Sequence, residues 1–402
     1  MKRLVDLSVE VAGIKFRNPV WTAAGPVSWC GEILRKAAEN GAGGLVCKTI
    51  SVKPADVPRP NMALVDRGWS PVYFNLAMDG RVIRVSTSYV RLIRGMLNAE
   101  LWSELPAERW LEKEYSIAKA TGLPVIASIG YTAEELRELG PKVQEAGVDA
   151  IEFSLHYLGI DYRPMIEIAK ALRESVDIPI FAKVSPHIVN LQEFAAELER
   201  VGVNGIVAIN SLGPCLSIDI ETGKPLLGGK SGYGWLSGPA IKPLGVRCVA
   251  DIARAVKIPV IGVGGIASGR DAMEYIMAGA SAVQICTQGI IEGPKVYGRV
   301  ASELKMLMEE RGYESIEDFK GIALKYLPKE PIKMERSPVI DEDSCRACGL
   351  CAESCMYGAI SPVGDPPRAY RIDENLCERC GLCMTVCPVK AVKPGEEIWR
   401  SS

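Results

Sequence analysis

An α/β fold is what this sequence predicts: a (β/α)8 TIM barrel with a small, cysteine-rich α+β domain at its C-terminal end. Three observations carry it. Up to about residue 325, short apolar runs alternate with longer amphipathic ones, the rhythm of a parallel sheet covered by helices. Eight such runs occur, and a helical segment follows nearly every one. Eight of the thirteen cysteines then fall between residues 345 and 387. A chain of 402 residues is too long for one average domain and suits a large barrel with an appendage, and 48% hydrophobic residues can fill a sizeable core.

In chain order, Pro19–Ala24 reads as the first strand, Gly31–Asn40 as its helix and Gly44–Thr49 as the second strand. Pro54–Leu97 is broken by prolines, glycines and aromatics and reads as an excursion from the barrel, a lid or a contact surface. Pro124–Ile129, Ala150–Ser154, Pro179–Lys183, Gly205–Asn210, Pro259–Gly262 and Ala282–Cys286 complete the set of strands. Helices fit at Thr132–Ala146, Tyr162–Ser175, Leu191–Val201, Gly238–Val256 and Arg270–Ala278. An open doubly wound sheet is the alternative, but no G-x-G-x-x-G follows the first strand. Ser211–Trp235 is a long glycine-rich insertion after the sixth strand, at the end of a strand where barrels keep their active sites. After a last helix near Val300–Arg311, the expected domains are a barrel over 1–326, a proline-containing linker over 327–338 and a small domain over 339–402.

Within that last domain, Cys345, Cys348, Cys351 and Cys355 are spaced C-x2-C-x2-C-x3-C, and Cys377, Cys380, Cys383 and Cys387 repeat the spacing with Pro388 following. Such runs ligate [4Fe–4S] cubanes, the fourth cysteine of each reaching across to the other cubane. One cluster then takes Cys345, Cys348, Cys351 and Cys387, and the other Cys377, Cys380, Cys383 and Cys355, in a ferredoxin-like module. Zinc usually pairs two C-x2-C hooks instead, and disulfides imply a secreted chain. The remaining cysteines, Cys30, Cys47, Cys215, Cys248 and Cys286, are scattered singly and read as buried thiols.

A formal charge of −2 offers no global attraction for nucleic acid or an anionic membrane, and no apolar run approaches the length of a membrane span. Met1–Gly13 lacks the apolar centre of a signal peptide, so a cytoplasmic setting is expected.

An anion site is legible too. Ser237 is a good N-cap and Pro239 suits a first turn, so a helix is expected from Gly238 with its N–H groups free. Gly264 and Gly265 follow the seventh strand and Cys286 and Thr287 close the eighth, where such barrels bind phosphate. The alternative is that these glycines merely turn the chain. Lys48 and Lys183 each end a strand and point into the barrel mouth.

Several strings resemble the dihydroorotate dehydrogenases and the flavin domain of dihydropyrimidine dehydrogenase: Pro19–Gly25, CKTIS at 47–51, GMLNAEL at 95–101, FAKVSP at 181–186, LSGPAIKP at 236–243, and Gly264–Ile266 with Gly279–Cys286. The appended cysteine runs narrow the likeness to the latter. The resemblance implies bound FMN, a homodimer or larger complex, and redox chemistry at a carbon–carbon bond of a small cyclic substrate. It makes Lys48, with Thr49 beside it, and Lys183 flavin contacts that stabilise the negative charge of the reduced ring. It lays Ala24 and Gly25 against that ring and makes Asn98 and Asn210 substrate ligands, with Ser211 replacing a threonine. The loop after the fourth strand departs from the family: Ser154 replaces an asparagine and Tyr157 stands at the cysteine acid/base.

His156 and His187 are the only histidines, both just past strand ends. His156 or Tyr157 is the expected proton carrier; His187, after Ser185-Pro186, reads as turn chemistry. The whole reads as an oxidoreductase passing hydride between FMN and a substrate carbon, then single electrons through two clusters to an external partner, a ferredoxin or an NAD(P)H-oxidising subunit. The alternative is a non-catalytic electron-transfer subunit, against which Asn98 and Asn210 argue.

Overall fold

A computed structural model of the chain describes residues 5–78, 81–155 and 161–398, the side chains of 66–93 excepted. It divides into two compact units, one from the residues up to Arg67 and Ile93–Leu324, the other from Gly68–Leu92 and Lys325 onward. Residues 68–92, which the sequence reading kept within the barrel domain, therefore cluster with the second unit.

The first unit is the expected barrel. Its strands are β1 (Val20–Thr22), β2 (Leu45–Val46), β3 (Val125–Ile129), β4 (Ala150–Leu155), β5 (Ile180–Val184), β6 (Gly205–Ala208), β7 (Val260–Val263) and β8 (Ala280–Ile285). They pair in parallel in the order 1-8-7-6-5-4-3-2. The seam between β1 and β2 closes through a single bridge, Trp21 to Gly44, and through Thr22, whose Oγ1 donates to the Val46 carbonyl (2.9 Å) and accepts from the Val46 N–H (2.7 Å). Backbone bonds from Gly43 N–H to the Val20 carbonyl (2.7 Å) and from Thr22 N–H to the Gly44 carbonyl (3.2 Å) make that bridge, and the Thr22 side chain extends the seam beyond it. All eight strands are buried along their length, which is why they read as mostly apolar runs without in–out alternation.

Helices cover the sheet where amphipathic segments were expected. Ala133–Glu145 begins at Thr132, whose Oγ1 accepts from Glu135 N–H (3.2 Å) while the Glu135 carboxylate accepts from Thr132 N–H (3.1 Å). One covering segment was not read from the sequence, the irregular helix through Ala107–Arg109, Trp110–Glu114 and Tyr115–Lys119. Trp110 is fully buried there and its Nε1 donates to Ser103 Oγ (2.9 Å). The helix expected from Gly238 is a 3-10 turn, Pro239–Ile241, running into Lys242–Ala253.

The excursion after β2 is a strand pair, Met62–Met78 and Arg81–Asn98, rather than an irregular segment. The insertion after β6 supplies Leu212–Cys215 and Gly234–Ser237, and these form one antiparallel sheet with the excursion. Trp235 pairs with Asn98, Leu236 with Leu97 and Ser237 with Met96. The two longest departures from the barrel thereby hold each other and carry Asn98 to the mouth.

In the second unit each cysteine run repeats one local shape. Ala347 and Arg379 (φ +50° and +59°) and Gly349 and Gly381 (both +77°) turn the chain between and after the first two cysteines of each run. Short helices Leu350–Glu353 and Leu382–Val386 then carry Cys351 and Cys383 into a small core with Ile360 and Val392. Two antiparallel pairs, Val339–Ile340 with Val392–Lys393 and Ile360–Val363 with Ala369–Ile372, frame it.

Candidate active site

A cavity of about 450 Å³ opens at the C-terminal ends of the barrel strands. Ala24, Gly25, Lys48, Thr49, Lys183, Gly238, Gly264, Gly265, Cys286 and Thr287 line it, as do Asn98, Ser154, Asn210 and Ser211. His156 and Tyr157 lie outside the described residues. His187 is absent from the lining; its ring sits edge-on to Trp235.

The anion end is built from three segments. Gly238, at φ +88°, opens the 3-10 turn, so Gly238 and not Ser237 caps it. The Ser237 hydroxyl instead donates to the Met96 carbonyl (3.2 Å) and accepts from Thr287 Oγ1 (2.9 Å), tying the turn to the end of β8. Gly264 and Gly265 both have positive φ, and a Cβ on Gly265 would stand 2.7 Å from the Gly238 carbonyl oxygen. Only glycine allows that approach. Gly265→Ala should therefore purify with well under half the flavin of the wild type, and full occupancy by the ratio of visible to ultraviolet absorbance would contradict this role.

Both lysines are buried at strand ends, and each meets a carboxylate the sequence reading did not single out. Lys48 Nζ lies 2.5 Å from Glu100 Oε2, and the other Glu100 oxygen accepts from Asn61 Nδ2. Lys183 Nζ lies 3.4 Å from Glu152 Oε1, and Glu152 Oε2 accepts from Gln284 Nε2 (2.7 Å). β4 and β8 are not neighbours, so the Glu152–Gln284 bond crosses the barrel interior. Glu152 shares a face with Ser154, two residues on, and Ser154 stands in register with Lys183. Burial pushes the Cys286 thiol up against the pull of Lys183 and Lys48.

These groups fit a flavin. A Cβ on Gly25 would stand 2.6 Å from Cys286 Sγ, so the chain is thinned where a flat ring would lie. Gln284 Oε1 is buried and has no hydrogen-bond partner among the described residues, an acceptor open to a ring N–H. The glycine-lined anion end would take the phosphate.

At the other end of the cavity, Asn98 Nδ2 donates to the Trp235 carbonyl (3.0 Å) and Asn210 Nδ2 to Ser154 Oγ (3.3 Å). Trp102, Tyr131 and Trp235 add aromatic walls. Burial and the nearby Glu135 carboxylate push the Tyr131 phenol up to about 12. A polar residue inside an apolar strand run was the available signal for Glu152 in AIEFSL and for Gln284 in AVQIC.

In the second unit the cysteines surround two small hollows. Cys345, Cys348, Cys351 and Cys387 line one; Cys355, Cys377, Cys380 and Cys383, with Cys351 between the two, line the other. Among the described residues no three His, Cys, Asp or Glu side chains converge as around a lone ion. Burial raises the Cys387 thiol, but the N–H groups of Val389, Val392, Ala391 and Lys390 outweigh it and hold it below the ordinary value.

Comparison with known proteins accords with this geometry. Residues 154–308 match the model of the dihydroorotate dehydrogenase family, and residues 344–391 match a 4Fe-4S dicluster domain. The catalytic subunit of dihydroorotate dehydrogenase B (NAD(+)) from Pyrococcus abyssi is 35% identical over 79% of this chain and 99% of its own length. The corresponding subunit from Methanothermobacter thermautotrophicus is 31% identical over 79% of this chain and 98% of its own. That from Geobacter sulfurreducens is 32% identical over 79% and 97%. These relatives are matched almost end to end while about a fifth of this chain is left over. The chain belongs to the dihydroorotate dehydrogenase family, as an iron–sulfur flavoprotein oxidoreductase acting on CH–CH bonds.

Proposed function

We propose that this protein exchanges hydride between FMN and a carbon–carbon bond of a small cyclic imide or lactam, and passes electrons through two [4Fe–4S] clusters to an external partner. The observation that carries the reading is the pair of buried lysines, Lys48 from the end of β2 and Lys183 from β5, in one cavity with a glycine-lined anion end and two asparagines. A bound flavin supplies hydride exchange on its substrate side and single electrons on the other. The chain's own residues do the rest. Lys48 and Lys183 hold positive charge where negative charge develops. Asn98 and Asn210 each offer an amide, donor and acceptor together, to a ring edge with the same alternation. His156 or Tyr157 holds the proton that accompanies the hydride.

Electrons leave one at a time, as cubanes require. The partner is a ferredoxin or an NAD(P)H-oxidising subunit, since no dinucleotide fingerprint follows a strand here. The relatives named above are themselves catalytic subunits of an NAD(+) enzyme, which supports a partner of the second kind. A cytoplasmic homodimer or larger complex is the proposed setting.

The test is a visible spectrum of the anaerobically purified protein, then reduction of its chromophore by a panel of saturated rings. Flavin bands bleached by one of them support the reading; a colourless protein ends it. About eight iron and eight sulfide per chain are expected from the two four-cysteine runs, against zinc alone if the reading is wrong. Cys355→Ser should perturb the cluster held by Cys377, Cys380 and Cys383. Loss confined to the Cys345 group, seen by paramagnetic resonance of the reduced protein, would mean that the crossed ligation is wrong.

A further inference from the structure

The two cysteine runs share one backbone shape but finish differently at the surface. Of their eight cysteines, only Cys380 is exposed. Large apolar side chains are exposed beside the ligands of the same cluster: Met356 (84%) and Tyr357 (42%) follow Cys355, Leu376 (53%) precedes Cys377 and Leu382 (47%) precedes Cys383. Tyr357 and Leu382 also line the hollow those cysteines surround. In the first run Ser344 stands where Leu376 does in the second, and Leu350, which matches Leu382, is partly buried. The charges differ as well. Asp373, Glu374 and Glu378, against Arg379, are exposed and make no ion pair among the described residues. Beside the first run, Glu342 pairs with Arg371 (2.6 Å) and Asp341 with Lys393 (3.2 Å).

Resting on the reading of two [4Fe–4S] clusters, we propose that electrons reach the external partner through the cluster held by Cys355, Cys377, Cys380 and Cys383. The apolar side chains flanking those ligands dock a separate electron-transfer protein whose redox group lies in a basic surround. One electron moves per encounter: the partner's centre gains what the cubane loses, and no bond is made and no proton moved. Apolar side chains within an uncompensated acidic surround suit a brief contact, because the centre excludes water while the charges steer the approach. Four side chains fall far short of the roughly 20–30 residues that a lasting interface commits on each side. That counts against a second copy of this chain as the occupant.

Cytochrome c, a basic protein with an exposed haem edge, serves as the probe. Its reduction by the photoreduced, anaerobic holoenzyme is followed by stopped flow, and its affinity through the fluorescence of the redox-inert zinc-substituted form. In the wild type the second-order rate constant should fall as salt is raised. Leu376→Lys and Ser344→Lys place the same charge at matching positions of the two runs, so the overall charge of the protein is held equal. Leu376→Lys should lower both rate constant and affinity by about tenfold, whereas Ser344→Lys should change them by less than about twofold. Met356→Ser should also lower both, and it keeps the test standing should Leu376→Lys misfold. Iron content and the paramagnetic resonance of both reduced clusters are checked in each variant. Equal slowing by the two lysine variants, slowing by Ser344→Lys alone, or a wild type that neither binds nor reduces cytochrome c overturns the inference and leaves the two-cluster reading intact. Absence of reduced-cluster signals from the wild type overturns both.

Discussion

Lys183→Met should cost roughly 3–5 kcal/mol of stability, the usual consequence of stranding one member of a buried ion pair, and should make the bound flavin harder to reduce. Glu152 is wholly buried, and its cation is Lys183 at 3.4 Å, with Gln284 on the other oxygen. Without the lysine, a carboxylate is left inside the barrel with one neutral hydrogen bond. The flavin effect has the same sign from two sources. A positive charge is lost where negative charge must develop, and an uncompensated negative charge is left behind. A downward shift on the order of 30–60 mV is expected, about 30 mV for each 1.4 kcal/mol in a two-electron couple. The double variant Lys183→Met with Glu152→Gln removes both charges and should recover most of the stability while keeping part of the shift. Denaturant unfolding and potentiometric titration read the two effects separately. If single and double variants are equally unstable, Glu152 and Lys183 are not coupled; an unchanged or raised potential would remove Lys183 from the flavin's surroundings.

His156→Ala or Tyr157→Phe should lower turnover by about 10²–10⁴-fold, the range for general acid–base help, while flavin and cluster contents stay as they were. The described cavity offers few rival proton carriers. Tyr131 is pushed up to about 12, and the Cys286 thiol is raised by burial, so neither exchanges protons readily near neutrality. Cys215 does not line the cavity, and its Sγ donates to the Leu212 carbonyl (3.5 Å). β4 ends at Leu155, with Ser154 in the cavity wall. Artificial reduction of the clusters through the flavin should survive both changes, because it moves no substrate proton. Normal turnover by both variants would mean that neither residue carries the proton.

The barrel was legible because its strands are buried on both faces, so each appears as a short apolar run between turn residues. The excursion was not. Gly68, Pro71 and Gly80 interrupt Met62–Asn98 and hide a strand pair whose partner, Gly234–Ser237, lies well over a hundred residues further on. Ser237 was expected as a cap on local grounds; its hydroxyl was drawn instead to Met96 and Thr287, which the sheet and the end of β8 bring to it.

The residue types that the chemistry needs can be read along the chain: two four-cysteine runs, glycines after β7, lysines at strand ends. Each depends on spacing over a few residues, which backbone geometry translates directly into position. The charge balance of the cavity depends on the closed barrel. Lys48 meets Glu100 from 52 residues away, and Glu152 meets Gln284 from 132. No local period encodes such pairs, because they follow from which strands face one another across the barrel and which excursions fold over its mouth. In a buried site it is the pairing of charges, more than their presence, that sets what can bind.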